Sequence, residues 1–200
     1  MKIQEMIAIT YLFLLRHGQT DWNKEGRLQG QIDTPLNETG LSQVDQFVAY
    51  YAKEPWDFIV TSPLLRAKQT ALRIASQRPD LRVVEDNTFI ERDFGRANGL
   101  NMAQIQERFP DRIYPDAEDV QAFHDRSFKA IHALAQRHQN RRILVVTHGA
   151  VINSILKSLS GGMHGTGITT LQNTGVTRVM YDNQAFSLLS ISETQHLQDV

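Results

Sequence analysis

The chain has no cysteine in its 200 residues, which excludes disulfide staples, thiolate nucleophiles and cysteine-based metal sites. It also lacks an excess of either charge: 21 Lys and Arg stand against 22 Asp and Glu, for a formal net charge of −1. That balance excludes the broad basic surface of a nucleic-acid or membrane-surface binder, so an anion site has to be a local cluster of cations. No apolar run approaches the ~20 residues needed to span a bilayer. The N-terminus carries Lys2, but Gln4 and Glu5 interrupt any signal-peptide core. These absences lead to the expectation of a cytoplasmic globular protein that partners neither nucleic acid nor membrane. Asn37-Glu38-Thr39 matches a glycosylation acceptor, but without secretion it reads as a turn and helix start.

What is present is an alternation of short apolar strands and amphipathic helices, the pattern of an α/β layer fold. Residues 1–200 suit one domain, with no repeat, low-complexity tract or linker. Tyr11–Leu15 reads as the first strand, followed by a long polar loop from Arg16 to Asn37. Leu41, Val44, Phe47, Val48 and Tyr51 recur at helical spacing. Phe58–Val60 is a second strand, Leu64–Gln77 a helix starting after Pro63, and Leu81–Val84 a third strand at an edge. Asn101–Phe109 is a short helix, and Val120, Phe123, Ser127, Ile131 and Leu134 line a longer one. Strand Ile143–Val146 and helix Ala150–Leu159 follow, the helix stopping at Gly161-Gly162. Strands Thr177–Tyr181 and Phe186–Ile191 close the chain through a turn at Asp182-Asn183. The predicted fold is a three-layer α/β/α sandwich with a central, mostly parallel sheet.

Two of the apolar strands empty into a histidine followed by glycine: Arg16-His17-Gly18 and Thr147-His148-Gly149. Open α/β sheets bind ligands at the carboxyl ends of their strands, where such residues converge. Arg66 falls in the first turn of a helix, where the macrodipole already disfavours a cation. An anion there satisfies both the free N–H groups and the guanidinium. The alternative is that these are solvated loop residues.

The chain resembles the histidine phosphatase superfamily, the phosphoglycerate mutase-like proteins. The matching residues are Leu15-Arg16-His17-Gly18-Gln19-Thr20 with Trp22-Asn23, then Gly30, Asp33, Pro35-Leu36 and Gly40. They continue with Ser62-Pro63-Leu64-Leu65-Arg66-Ala67, Thr70, Glu91 with Phe94-Gly95, and Val146-Thr147-His148-Gly149. The resemblance implies that His17 is a nucleophile phosphorylated during turnover. It implies that Arg16, Arg66 and His148 form the phosphate pocket, that Asn23 also contacts phosphate, and that Glu91 is the proton donor. The backbone near Gln29, Gly30 and Gly149 is expected beside the substrate, a small-molecule phosphomonoester.

Those roles suit the chemistry. A phosphoryl group in transfer spreads charge over three equatorial oxygens, which arginine forks match. His148, if protonated, adds a third cation, and such a cluster replaces a metal ion; no metal and no cofactor are expected. His17 has to be neutral to attack. A zinc site from His17, His148 and Glu91 is conceivable by ligand type, but the arginines would repel the metal. His124, His132, His138 and His164 read as ordinary surface or loop residues, and His196 as part of a polar tail.

The chain between Glu91 and Ile143 is too short for a large mutase lid, which favours hydrolysis. A phosphoglycerate mutase is the alternative, and a non-catalytic phospho-ligand binding protein the second. Gln19, Ala97-Asn98-Gly99 and Asp116-Ala117-Glu118-Asp119 depart from the family pattern near the expected leaving group. Arg92 is expected, with Arg108 or Arg112, to select a substrate with a second anionic group. Cobalamin-precursor phosphates, phosphoglycerates and sugar phosphates all fit, and a homodimer is compatible with the sequence.

Overall fold

The computed structural model describes residues 8–197, so Lys2, Gln4 and Glu5, on which the leader reading rests, lie outside the described residues. Strand β1 (Thr10–Arg16) leads to a short helix α1 (Asp21–Lys24) and then to α2 (Glu38–Tyr50). Strand β2 (Phe58–Thr61), helix α3 (Leu65–Gln77) and strand β3 (Val83–Glu85) follow. Helices α4 (Met102–Arg108) and α5 (Val120–Arg137) precede β4 (Arg142–Thr147) and α6 (Gly149–Leu159). The hairpin β5 (Val176–Asp182) and β6 (Ala185–Glu193) completes one six-stranded sheet of order β3-β2-β4-β1-β5-β6. β1, β2, β3 and β4 pair in parallel, while β5 and β6 add antiparallel.

Successive strand side chains point to opposite faces, so a strand covered on both sides reads as a continuous apolar run. Leu12 and Leu14 of β1, with Ile143 and Val145 of β4, pack against Phe123, Ile131, Val151 and Ile155 of α5 and α6. Phe13, Leu15, Leu144 and Val146 face the other way, onto Val44, Phe47, Ala67, Ala71 and Ile74 of α2 and α3. Two helical layers thus enclose the sheet, as expected from the sequence.

Four details depart from the sequence reading. The loop after β1 contains α1, a single turn closed by a Thr20–Asn23 capping box and too short for any apolar period. The hairpin turn is Asn183-Gln184, one residue later than expected, with φ of 48° and 66°; that positive pair matches the strand twist of a tight hairpin. Leu41 and Val120 point to solvent at the starts of their helices. His196 is buried against Phe47, Tyr50 and Tyr51, and its Nε2 lies 3.0 Å from the Thr174 hydroxyl, so it anchors the chain's last turn onto α2.

The loop after β1 is seated on α2 by two facing glycines. A Cβ on Gly40 would come within 2.1 Å of the Gln19 carbonyl oxygen, and one on Gly18 within 2.7 Å of the Gly40 carbonyl oxygen. Backbone therefore lies on backbone just where the chain leaves the sheet. Gly40→Ala is expected to lower stability by about 1–3 kcal/mol, the usual cost of overpacking. An unchanged denaturant midpoint would show that the loop yields without cost.

Candidate active site

The parallel pairing of β1 with β4 sets Arg16 level with Thr147, and the His17 amide donates to the Thr147 carbonyl at 3.0 Å. His17 and His148 therefore leave adjacent strand ends together, with ring centroids 5.3 Å apart. β2, on the other side of β4, ends at Thr61, and Arg66 follows in the first turn of α3. Arg16, His17, Asn23, Gln29, Gly30, Arg66, Glu91 and Gly149 all line one cavity of about 230 Å³. His148 is fully buried beside it, behind His17.

Both arginines are held by main-chain oxygens. Arg16 Nη1 donates to the Leu171 carbonyl at 2.6 Å. Arg66 donates to the carbonyls of Ile32 and Gly30 at 2.9 and 2.7 Å. Gly30 needs its φ of +52°, and a Cβ there would overlap the Asn98 side chain. Arg16 Nε, Arg66 Nε and His148 Nδ1 are buried without a protein partner. Buried donors of this kind are costly unless matched, and an anion with several oxygens suits them. Asn23 Oδ1 already accepts from Thr20 N and Asn173 Nδ2, so the amide nitrogen is left to donate.

His17 is neutral. Burial, and then the charges of Arg66 and Arg16, push His17 well below the usual histidine range. Its Nδ1 lies 2.7 Å from the Gly18 carbonyl, which can only accept, so Nδ1 carries the proton and Nε2 holds the lone pair. Burial and Arg66 also push His148 well down. Its Nε2 lies 2.7 Å from the Ser62 hydroxyl, and the downward shift runs against the third cation considered from the sequence.

Glu91 sits at the amino end of α6. Its carboxylate accepts from the amides of Arg92 at 2.9 Å and Ala150 at 3.2 Å. Burial nevertheless raises its pKa, against the pull of those amides and both arginines. A carboxyl group so placed can hold a proton for a leaving oxygen and take one back. Among the described residues, no three His, Asp or Glu side chains group as a metal site.

The remaining expectations divide. Arg92 lies outside the phosphate-sized cavity, in an adjoining one of about 380 Å³. That cavity is walled by Leu28, Phe94, Met102, Tyr114, Val120 and Phe123, and Arg112 also lines it. Arg108 does not line it and is exposed on α4. Gln19 faces away, its side chain accepting from Asn37 at the cap of α2. Asp116 pairs with Arg96, Asp119 caps α5, and Glu118 pairs with Arg126, so only the main chain of that segment approaches Arg92. The sequence reading missed Asn173, which holds the His17 carbonyl at 2.9 Å from an unpatterned loop, and Arg126 on α5.

The pattern of the histidine phosphatase superfamily (branch 1) matches residues 12–194. A Bacillus subtilis protein named "uncharacterized phosphatase PhoE" is 36% identical over 94% of this chain and 97% of its own. A metal-independent phosphoserine phosphatase of Arabidopsis thaliana is 33% identical over 96% of this chain and 85% of its own. The structure of an Entamoeba histolytica phosphoserine phosphatase with 3-phosphoglyceric acid superposes with a TM-score of 0.83, at 27% identity over 94% of this chain and 99% of that one.

The buried histidines also set a pH dependence of stability. His17 and His148 are held well down, and burial pushes His196 down to about 4. The unfolded chain therefore binds more protons below about pH 6.5, and stability present above that value is lost as pH falls through the window. Glu91 acts oppositely, costing stability as pH rises through its raised pKa. His124 and His138 are also lowered by burial, so five histidines stand against Glu91, and the melting temperature is expected to fall from pH 7 to pH 5, less steeply in His196→Gln. An identical slope in the variant would remove His196 from this account.

Proposed function

Because the chain belongs to the histidine phosphatase superfamily (branch 1), we propose that His17 is the nucleophile of a metal-independent phosphomonoester hydrolase. The observation that carries this reading is the pairing of a neutral His17, its Nε2 lone pair free, with two arginines and a proton-holding Glu91 around one cavity. In the first step His17 Nε2 bonds to phosphorus and the bond to the leaving oxygen breaks, while Glu91 gives that oxygen its proton. In the second, water attacks phosphorus, the N–P bond breaks, and Glu91 takes the proton from water. Arg16 and Arg66, with the Asn23 amide, hold the phosphoryl oxygens as charge spreads over them. His148 lies beside His17 with its Nδ1 free of a protein partner, and Gln29, Gly30 and Gly149 border the substrate.

Hydrolysis is favoured over mutase exchange by the short segment between Glu91 and β4 and by relatives named as phosphatases. The leaving group enters the apolar cavity beside the phosphate site, since Leu28, Phe94, Ala150 and Thr166 border both. Arg92 and Arg112 there suit a carboxylate on that leaving group. Arg92 Nε and Nη2 donate to the Glu118 carbonyl at 3.2 and 3.1 Å, which fixes the guanidinium and leaves Nη1 for a ligand. We read residues 1–200 as one catalytic domain.

His17→Ala is expected to lower turnover of p-nitrophenyl phosphate by roughly 10³-fold or more. The wild type should yield acid-labile phosphoprotein on quenching and keep its rate in excess chelator. A variant as active as wild type, or strict metal dependence, would overturn the mechanism. Arg92→Ala is expected to lose about tenfold more kcat/KM on 3-phosphoglycerate than on phenyl phosphate. Equal losses on the two would remove the second-anion role.

A further inference from the structure

Arg126 of α5 does not itself line the phosphate cavity, yet one edge of its guanidinium holds the segment that carries Glu91. Nη1 donates to the carbonyls of Thr88 and Ile90 at 3.2 and 2.8 Å, and Nη2 to the carbonyl of Glu91 itself at 3.1 Å. The other edge of the guanidinium takes the Glu118 carboxylate as a fork, with Nε to Oε1 at 2.6 Å and Nη2 to Oε2 at 2.9 Å. The Glu118 carbonyl in turn holds Arg92. The Gln31 amide reaches the same Glu91 carbonyl at 3.0 Å, so that oxygen is fixed from two sides.

We propose that Arg126 is a positioning residue for the proton transfers of Glu91, locking the acid to the segment that lines the leaving-group cavity. It rests on the phosphohistidine reading above. Five donors in one rigid plane meet three carbonyls and both oxygens of one carboxylate. Arginine geometry alone meets that set; a lysine ammonium has three donors and no fork. The segment from Asn87 to Ile90 is a single 3-10 turn followed by extended chain, with no sheet partner to fix where Glu91 falls. The Thr147 hydroxyl of β4 holds the Phe89 carbonyl at 2.8 Å, and the guanidinium holds the carbonyls on either side of it and that of Glu91. Its outer side borders a surface groove of about 480 Å³ together with Thr88, Lys129 and Arg137, so small solutes can reach its position.

The test separates the acid step from folding. Wild type, Arg126→Ala and Arg126→Lys are compared on glycerol 3-phosphate, a poor leaving group, and p-nitrophenyl phosphate, which leaves without a proton. Both variants are expected to lose about 10- to 100-fold in kcat/KM on the alkyl ester, the scale for a misplaced group, and little on the aryl ester. Phosphohistidine should accumulate from p-nitrophenyl phosphate, because Glu91 also activates water in the second step. Guanidinium chloride at millimolar concentration should restore alkyl ester hydrolysis to the alanine variant. Equal losses on both esters without guanidinium recovery, or no loss on either, would overturn the proposal. If the alanine variant does not fold, the lysine variant decides by the ratio of the two esters. Absence of phosphohistidine in wild type would instead overturn the mechanism beneath it.

Discussion

The parallel pairing of β1 with β4 is the contact on which the site depends. Arg16 stands opposite Thr147, so the residues that follow, His17 and His148, emerge at one level from neighbouring strands. A slip of one residue would exchange the two cores for each other and turn His17 away from Glu91. The register is held by more than hydrogen bonds. Leu12 and Leu14 fill one core while Phe13 and Leu15 fill the other, so every residue of the strand resists the shift.

The site then works by keeping unlike groups in unlike charge states within a small volume. Arg66, although burial pulls it down to about 10, keeps its charge at neutral pH, because two carbonyls hold it and Glu91 and Asp33 lie near. Arg16 is likewise lowered by burial and supported by Glu91. The same cations, with burial, push His17 and His148 down. Glu91 feels burial and arginine in opposition, and burial prevails. Desolvation thus lowers the pKa of His17 and raises that of Glu91 together, and the arginines sharpen the first effect while tempering the second.

The second half of the chain supplies substrate shape through loops, not strands. Glu91 and Arg92 belong to a segment past β3, and Tyr114 and Glu118 to one between α4 and α5. These loops have no ladder to fix them. They are joined by scattered bonds: the amides of Glu118 and Arg96 on the carbonyls of Asp93 and Pro115, Arg92 on the Glu118 carbonyl, and Arg126 across both segments.

The layered fold and the placing of Arg16, His17 and His148 at strand ends were legible from local signals, whereas Asn23, Gln29, Gly30, Glu91 and Gly149 were singled out only through the family resemblance. β1 and β4 are continuous apolar runs, α2 and α5 have helical periods, and Arg16-His17 and His148 follow strand ends directly. Helix α1, the exact hairpin turn and the burial of His196 were not legible, since one turn has no period and a terminal histidine has no pattern. Arg126 was invisible for the same reason: on α5 it is one polar residue among others, and its partners lie 8 to 38 residues away. The downward shift of His148 and the separation of Arg92 from the phosphate cavity also come only from packing. Sequence determined which groups stand at the strand ends, because periodicity and strand termini are local. The tertiary structure decided their protonation and their neighbours, because desolvation and Coulomb energy depend on distances that only the folded chain sets.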